Sequence, residues 1–224
     1  MYINPTNSIN MPIVQPMFEC FVSENALAWD VIVLMIQMIL VATASLIIGL
    51  YLNRYMRKRN FFTNKTFTLI SSTVMAFGLS LRYGMSIYTF QGLFLFFLLL
   101  YASMSDLTDR NVANHISISI LALSFISIPT VGIFSMLVGG AVSAAIQIGI
   151  ISMSGGGYGG ADWKISSACT FLLGWSRGLS GMVLGLLIGV IFTLICNSFK
   201  KRDNNESFAL VPFLSIGMMA MFFI

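Results

Sequence analysis

Charge is scarce in this sequence: only 9% of its 224 residues are Asp, Glu, Lys or Arg, against about 25% in a soluble domain. That excludes an ordinary water-solvated surface. The single histidine, His115, cannot build a metal centre alone, and the three cysteines, Cys20, Cys169 and Cys196, form no CxxC pair and no even set. A zinc site and a disulfide framework are therefore not expected. Proline is rare, with Pro5, Pro12 and Pro16 holding three of the five, and no internal repeat or low-complexity linker is evident. The start lacks a basic stretch ahead of a short apolar run, so no cleaved signal peptide is expected. The net charge of +4 and pI near 9.1 do not point to nucleic acid, because the basic residues flank apolar runs as topology signals do.

What the chain has in excess is apolar length. Hydrophobic residues make up 57% and mean hydropathy is +0.88, which places it among polytopic membrane proteins. Apolar windows of about 19 residues centre on 31–52, 87–104, 116–129, 131–153, 178–197 and 208–224. Two weaker segments, hydroxyl-rich 66–81 and short 163–176, bring the expected total to eight. The predicted fold class is all-α, a polytopic membrane bundle of about eight transmembrane helices. Residues 1–30 are expected to form an extracytoplasmic segment and 31–224 the membrane-embedded domain. Gly181, Gly185 and Gly189 recur at four-residue spacing, partly echoed by Gly140, Ala144 and Ile148, and small residues so spaced let helices pack closely.

Cations favour the cytoplasmic side, so "NRYMRKRN" and "KKRDN" belong inside. Eight crossings leave only Arg82 and Arg177 outside and put both termini outside. If 66–81 and 163–176 both fail to cross, the two clusters stay inside while Arg110 and Lys164 move out. Either way, exactly two spans separate "SDLTDRN" from "GGADWK", so Asp106 and Asp162 fall on one side.

Of the eight acidic residues, Glu19, Glu24, Asp30, Asp203 and Glu206 lie in solvated flanks. Asp106, Asp109 and Asp162 abut apolar segments, where a carboxylate is costly and marks a functional site by default. Asp109 has Arg110 beside it for a local pair. Two carboxylates brought close share a proton, since both cannot ionise cheaply; one then takes a proton from attacking water while the other supports the carbonyl oxygen. The glycines of "GGGYGGADWK" would let a substrate backbone approach Asp162. They do not form a Walker loop, because Ala161 and Asp162 follow Gly160 where Lys and Ser or Thr are needed. From the residues alone, an aspartyl protease and a small transporter with a carboxylate proton relay stand level.

"YASMSDLTDRNVANHIS" and "GGGYGGADWKISSACTFLLGW" resemble the two active-site regions of the type IV prepilin leader peptidases, the second being their GxGD region. Lys164, Gly174 and Trp175 fall where that family places them. "GLYLNRYMR" is similar to its Gly-x-x-Leu-Asn stretch, and "LVPFLSIG" to the Pro-Phe segment opening its last helix. The resemblance runs from about residue 45 to the end. It implies Asp106 and Asp162 as the catalytic dyad, with Gly159, Gly160, Lys164 and Asn114 supporting substrate. Ala161 stands for the second glycine, a form the archaeal preflagellin peptidases share. Ala113 replaces the usual proline before Asn114, which affects the geometry of that turn.

Many bacterial relatives insert a long domain with two CxxC pairs after the first helix and also methylate the new pilin terminus with S-adenosylmethionine. Here that link is "RYMRKRNFFTNK", without cysteine. The resemblance therefore implies a short-form peptidase of the bacterial inner membrane with no metal and no cofactor, a bifunctional peptidase and N-methyltransferase being the alternative. Its partners would be a type IV prepilin or pseudopilin precursor and membrane lipid, and its site would face the cytoplasm. Lys164 either orients substrate or snorkels to the surface, Asn114 and His115 cap or bond within their loop, and Trp163 and Trp175 serve as interfacial anchors.

Overall fold

The computed structural model describes residues 24–61, 63–153, 160–199 and 209–224. They form eight helical rods: α1 (Glu24–Lys58), α2 (Lys65–Tyr83), α3 (Ile87–Asp109), α4 (Asn114–Val131), α5 (Ile133–Met153), α6 (Gly160–Leu173), α7 (Trp175–Phe199) and α8 (Val211–Phe223). No strand occurs among the described residues. The all-helical bundle agrees with the hydropathy pattern.

The helices coincide with the eight expected segments, but only five, in α1, α3, α4, α5 and α7, are long and apolar enough to cross a membrane. At 1.5 Å per residue, the 14 residues of α6 and the 13 of α8 extend only about 20 Å, short of the roughly 30 Å of a hydrocarbon layer. Both are packed inside the bundle. Ile165, Ala168, Cys169 and Leu172 of α6 and Val211, Leu214, Met218 and Phe222 of α8 are buried. Ile216 of α8 is 55% exposed, but the faces that pack on other helices can carry polar side chains. The 19 residues of α2 fall short through composition, since Ser and Thr recur along it.

Lipid-facing apolar side chains line the outer rods, such as Ile47 and Phe134 at 68% and 78% exposure. Inside, contact depends on small residues. A Cβ on Gly185 would lie 2.7 Å from the Leu214 Cα, and one on Gly217 would lie 2.5 Å from the Gly185 nitrogen. The glycine stripe of α7 therefore brings the α8 backbone into direct contact, as its spacing predicts. The echo in α5 is different: Ile148 is 47% exposed, and the contact face runs through Gly140, Ser143 and Gln147. There Ser143 Oγ lies 3.4 Å from Ser166 Oγ of α6. Between α1 and α2, Ser45 Oγ donates to Ser72 O over 3.0 Å.

α4 is interrupted by a 3₁₀ turn at Phe125–Ser127. Gln91 of α3 bridges the break, its Nε2 donating to Leu123 O at 3.1 Å and Ser127 Oγ at 2.7 Å. α6 ends at Gly174, whose φ of +80° is left-handed and favours glycine. Its N–H reaches Thr170 O at 2.8 Å, and a Cβ there would strike Val131 and Ser135.

Candidate active site

Asp106 lies in the last turn of α3 and is 7% exposed. The helix ends at Arg110, a left-handed residue at φ 52°, ψ 23°, whose N–H reaches Asp106 O at 3.2 Å. Ser105 Oγ donates to Asn111 O at 2.7 Å, and buried Val112 pins the following loop. Ala113, where the family pattern has proline, adopts φ −67°, ψ 136°. That φ is the one a proline ring would impose, and the ψ lies in the extended region proline also adopts, so the turn into α4 keeps its shape without one.

The Asp106 carboxylate is held from a distant part of the chain, its Oδ2 accepting the Val211 N–H at 3.2 Å. Val211 opens α8, whose first N–H groups have no partner within the helix, and Pro212 has none to offer. The carboxylate thus sits at the positive end of α8, where negative charge is favoured. Just behind it, Ser215 Oγ donates to Val211 O at 2.8 Å and Ser103 Oγ donates to Ser215 Oγ at 3.1 Å. This stitches the ends of α3 and α8 together. The sequence motifs placed Asp106 but not this holder. Its signal is Pro212 at a helix start, with Ser215 alone in an apolar run.

Asp162 lies in the first turn of α6, 5% exposed, so a helix N-terminus also serves the second carboxylate. α4 leads away from Asp106 and α5 returns, bringing α6 to start at the same end of the bundle. A direct tie confirms the placement, because Lys164 Nζ donates to Asn114 Oδ1 at 2.8 Å, linking the first turns of α6 and α4. Lys164 also lies 5.9 Å from the Trp163 ring centroid. The fold therefore brings together Asp106, Asp162, Lys164 and Asn114 at one end.

Gly160 begins α6, is exposed, and a Cβ on it would meet nothing within 4 Å; space above the helix start is open. Gly159 lies outside the described residues. Asn53, of the stretch similar to Gly-x-x-Leu-Asn, is 3% exposed and its Oδ1 has no hydrogen-bond partner among the described residues. Nor do three His, Cys, Asp or Glu side chains gather among those residues as a metal site would need.

Two carboxylates buried at one end of a helical membrane bundle, each at a helix N-terminus, narrow the reading sharply. Residues 93–194 match the type IV leader peptidase family. The matched segment of this leader peptidase family runs from α3 into α7 and contains Asp106, Asn114, Asp162 and Lys164, whereas Val211, which holds Asp106, lies beyond it. The match supports a leader-peptidase-like protease built from membrane helices. The link between α1 and α2 spans only 59–64 and has no cysteine. No curated protein and no solved structure gives a significant match.

Proposed function

We propose that the chain is a membrane aspartic endopeptidase that removes the leader of a type IV prepilin or pseudopilin at the cytoplasmic face of a bacterial inner membrane, with Asp106 and Asp162 as its catalytic pair. One observation carries the reading. Within the segment that matches the family, the two carboxylates are buried at the same end of the bundle.

The chemistry needs one ionised and one protonated carboxyl, and a close pair titrates as a unit that supplies both. Water attacks the scissile carbonyl carbon while the ionised member takes its proton and the protonated member donates to the carbonyl oxygen. The tetrahedral intermediate then collapses and the C–N bond breaks. The departing nitrogen takes the proton gained from water, and one hydroxyl of the intermediate returns its proton to the carboxylate that had donated it, leaving a free acid on the leader, a free amine on the mature protein and the pair reset. N–H donors at the starts of α6 and α8 offset the cost of burying negative charge there. Lys164 and Asn114 hold the α6 and α4 starts in register, and open space at Gly160, next to Gly159, suits an approaching substrate backbone. The precursor's apolar helix would lie against the bundle in lipid, leaving its leader at the polar edge.

Co-expression with a type IV prepilin tests this through the mobility shift on leader removal. Wild type yields the mature form; Asp106→Asn and Asp162→Asn yield only the precursor while reaching the membrane at normal levels. Processing unaffected by either substitution eliminates the assignment.

A further inference from the structure

The inner faces of α5 and α6 pair in an antiparallel register that leads to the candidate site. A Cβ on Gly140 would lie 3.2 Å from Phe171 Cβ, and nearer the site Ser143 Oγ lies 3.4 Å from Ser166 Oγ. Residues four apart share a helix face. α5 runs toward the end of the bundle where α6 starts, so one turn beyond Ser143 comes Gln147, and one turn before Ser166 comes Asp162. The two stand opposite one another, and both are interior, at 0% and 5% exposure.

On this stretch of α5 the usual distribution is inverted for a purpose that lipid does not supply. Ile146 and Ile148 face outward at 42% and 47% exposure, whereas Ser143 and Gln147 are wholly buried. Burying a side-chain amide among apolar groups is costly unless it hydrogen-bonds, and the carboxyl of Asp162 is the group that the register sets across from this one. The other carboxylate has support of the same kind. Asp106 Oδ2 accepts the Val211 N–H at 3.2 Å, with the Ser103–Ser215 bond behind it joining α3 to α8. Behind Asp162 the Ser143–Ser166 contact joins α5 to α6, and Gln147 stands in the place that Val211 holds beside Asp106.

We infer that Gln147 is a positioning residue for Asp162, its side-chain amide donating to one carboxyl oxygen across the α5–α6 contact and leaving the other aimed at water and substrate. The inference rests on the reading of Asp162 as catalytic. Gln147 is wholly buried and does not meet substrate, so its loss acts on turnover and not on substrate affinity.

The test uses the full chain in liposomes with a type IV prepilin as substrate. Gln147→Met keeps the length of the side chain but has no N–H, and it lowers kcat about tenfold with KM held within about twofold. Gln147→Asn, smaller but still an amide, loses less; the reverse order, which packing alone would give, overturns the inference. A second readout needs no catalysis, because residues in contact do not add independently. Gln147→Met lowers the melting temperature when Asp162 is in place and lowers it less in an Asp162→Ala background. Equal shifts in the two backgrounds overturn the inference, as does wild-type kcat in Gln147→Met. If Gln147→Met does not reach the membrane, Gln147→Asn carries both the kcat and the melting comparisons. Asp162→Asn, run alongside, must be inactive; cleavage there refutes the reading of the site instead, and the melting comparison still decides the contact.

Discussion

Gly217→Ala adds one methyl group where the structure has no room for it. Its Cβ would fall 2.5 Å from the Gly185 nitrogen and 2.8 Å from the Gly185 Cα, with Gly181 O nearer still. Every one of these neighbours is main chain, so no rotamer change relieves the overlap. Carbon contacts settle at about 3.5 Å, and α8 must therefore move away from α7 by about 1 Å. Overpacking of this kind costs about 1–3 kcal/mol. The larger effect falls on the site: the Val211 N–H to Asp106 bond is already 3.2 Å long, the far end of the normal range, and a shift of about 1 Å breaks it. Misplacement on that scale lowers turnover about a hundredfold. The control is Gly149→Ala in α5, where a Cβ meets nothing within 4 Å and relief of glycine's chain entropy stabilises by about 0.5–1 kcal/mol. Prepilin cleavage rates and thermal unfolding in detergent, measured on both variants, decide. Wild-type turnover in Gly217→Ala, or equal losses in both, refutes the reasoning.

Lys164→Met and Asn114→Leu each loosen the α4–α6 tie, and because its partners are partly exposed, a double-mutant cycle on unfolding gives a coupling of about 0.5–1 kcal/mol; a coupling of zero removes the bond from the account. Gln91→Leu strips Leu123 O and Ser127 of their bridge at the break in α4 and destabilises by about 1–3 kcal/mol, read as a lower melting temperature. Asn53→Leu removes a buried oxygen with no hydrogen-bond partner among the described residues, so the melting temperature stays level or rises; a clear fall shows that Asn53 has a partner the account lacks.

Hydropathy was enough to find every helix, because the apolar windows and the breaks between them are long compared with a helical turn. It did not say which helices cross. α6 and α8 are apolar and largely buried among other helices, and hydropathy cannot distinguish protein surroundings from lipid. The placement of Asp106 and Asp162 at one end of the bundle was legible from a count of two intervening helices, a parity that survives errors elsewhere in the chain. The Asp106–Val211 bond was not legible, since it joins residues 105 positions apart and its donor is a main-chain N–H that any residue but proline supplies.

Joining the two carboxylate positions chemically tests the central claim most directly. In a cysteine-replaced background, Asp106→Cys with Asp162→Cys is treated in membranes with a bifunctional thiol reagent no longer than two carboxyl groups bridged by one water. The account predicts an intramolecular cross-link that retains the chain as one piece after a protease cut between the two positions, with neither single variant giving it. Two thiols that each react singly and never with one another would contradict the shared site.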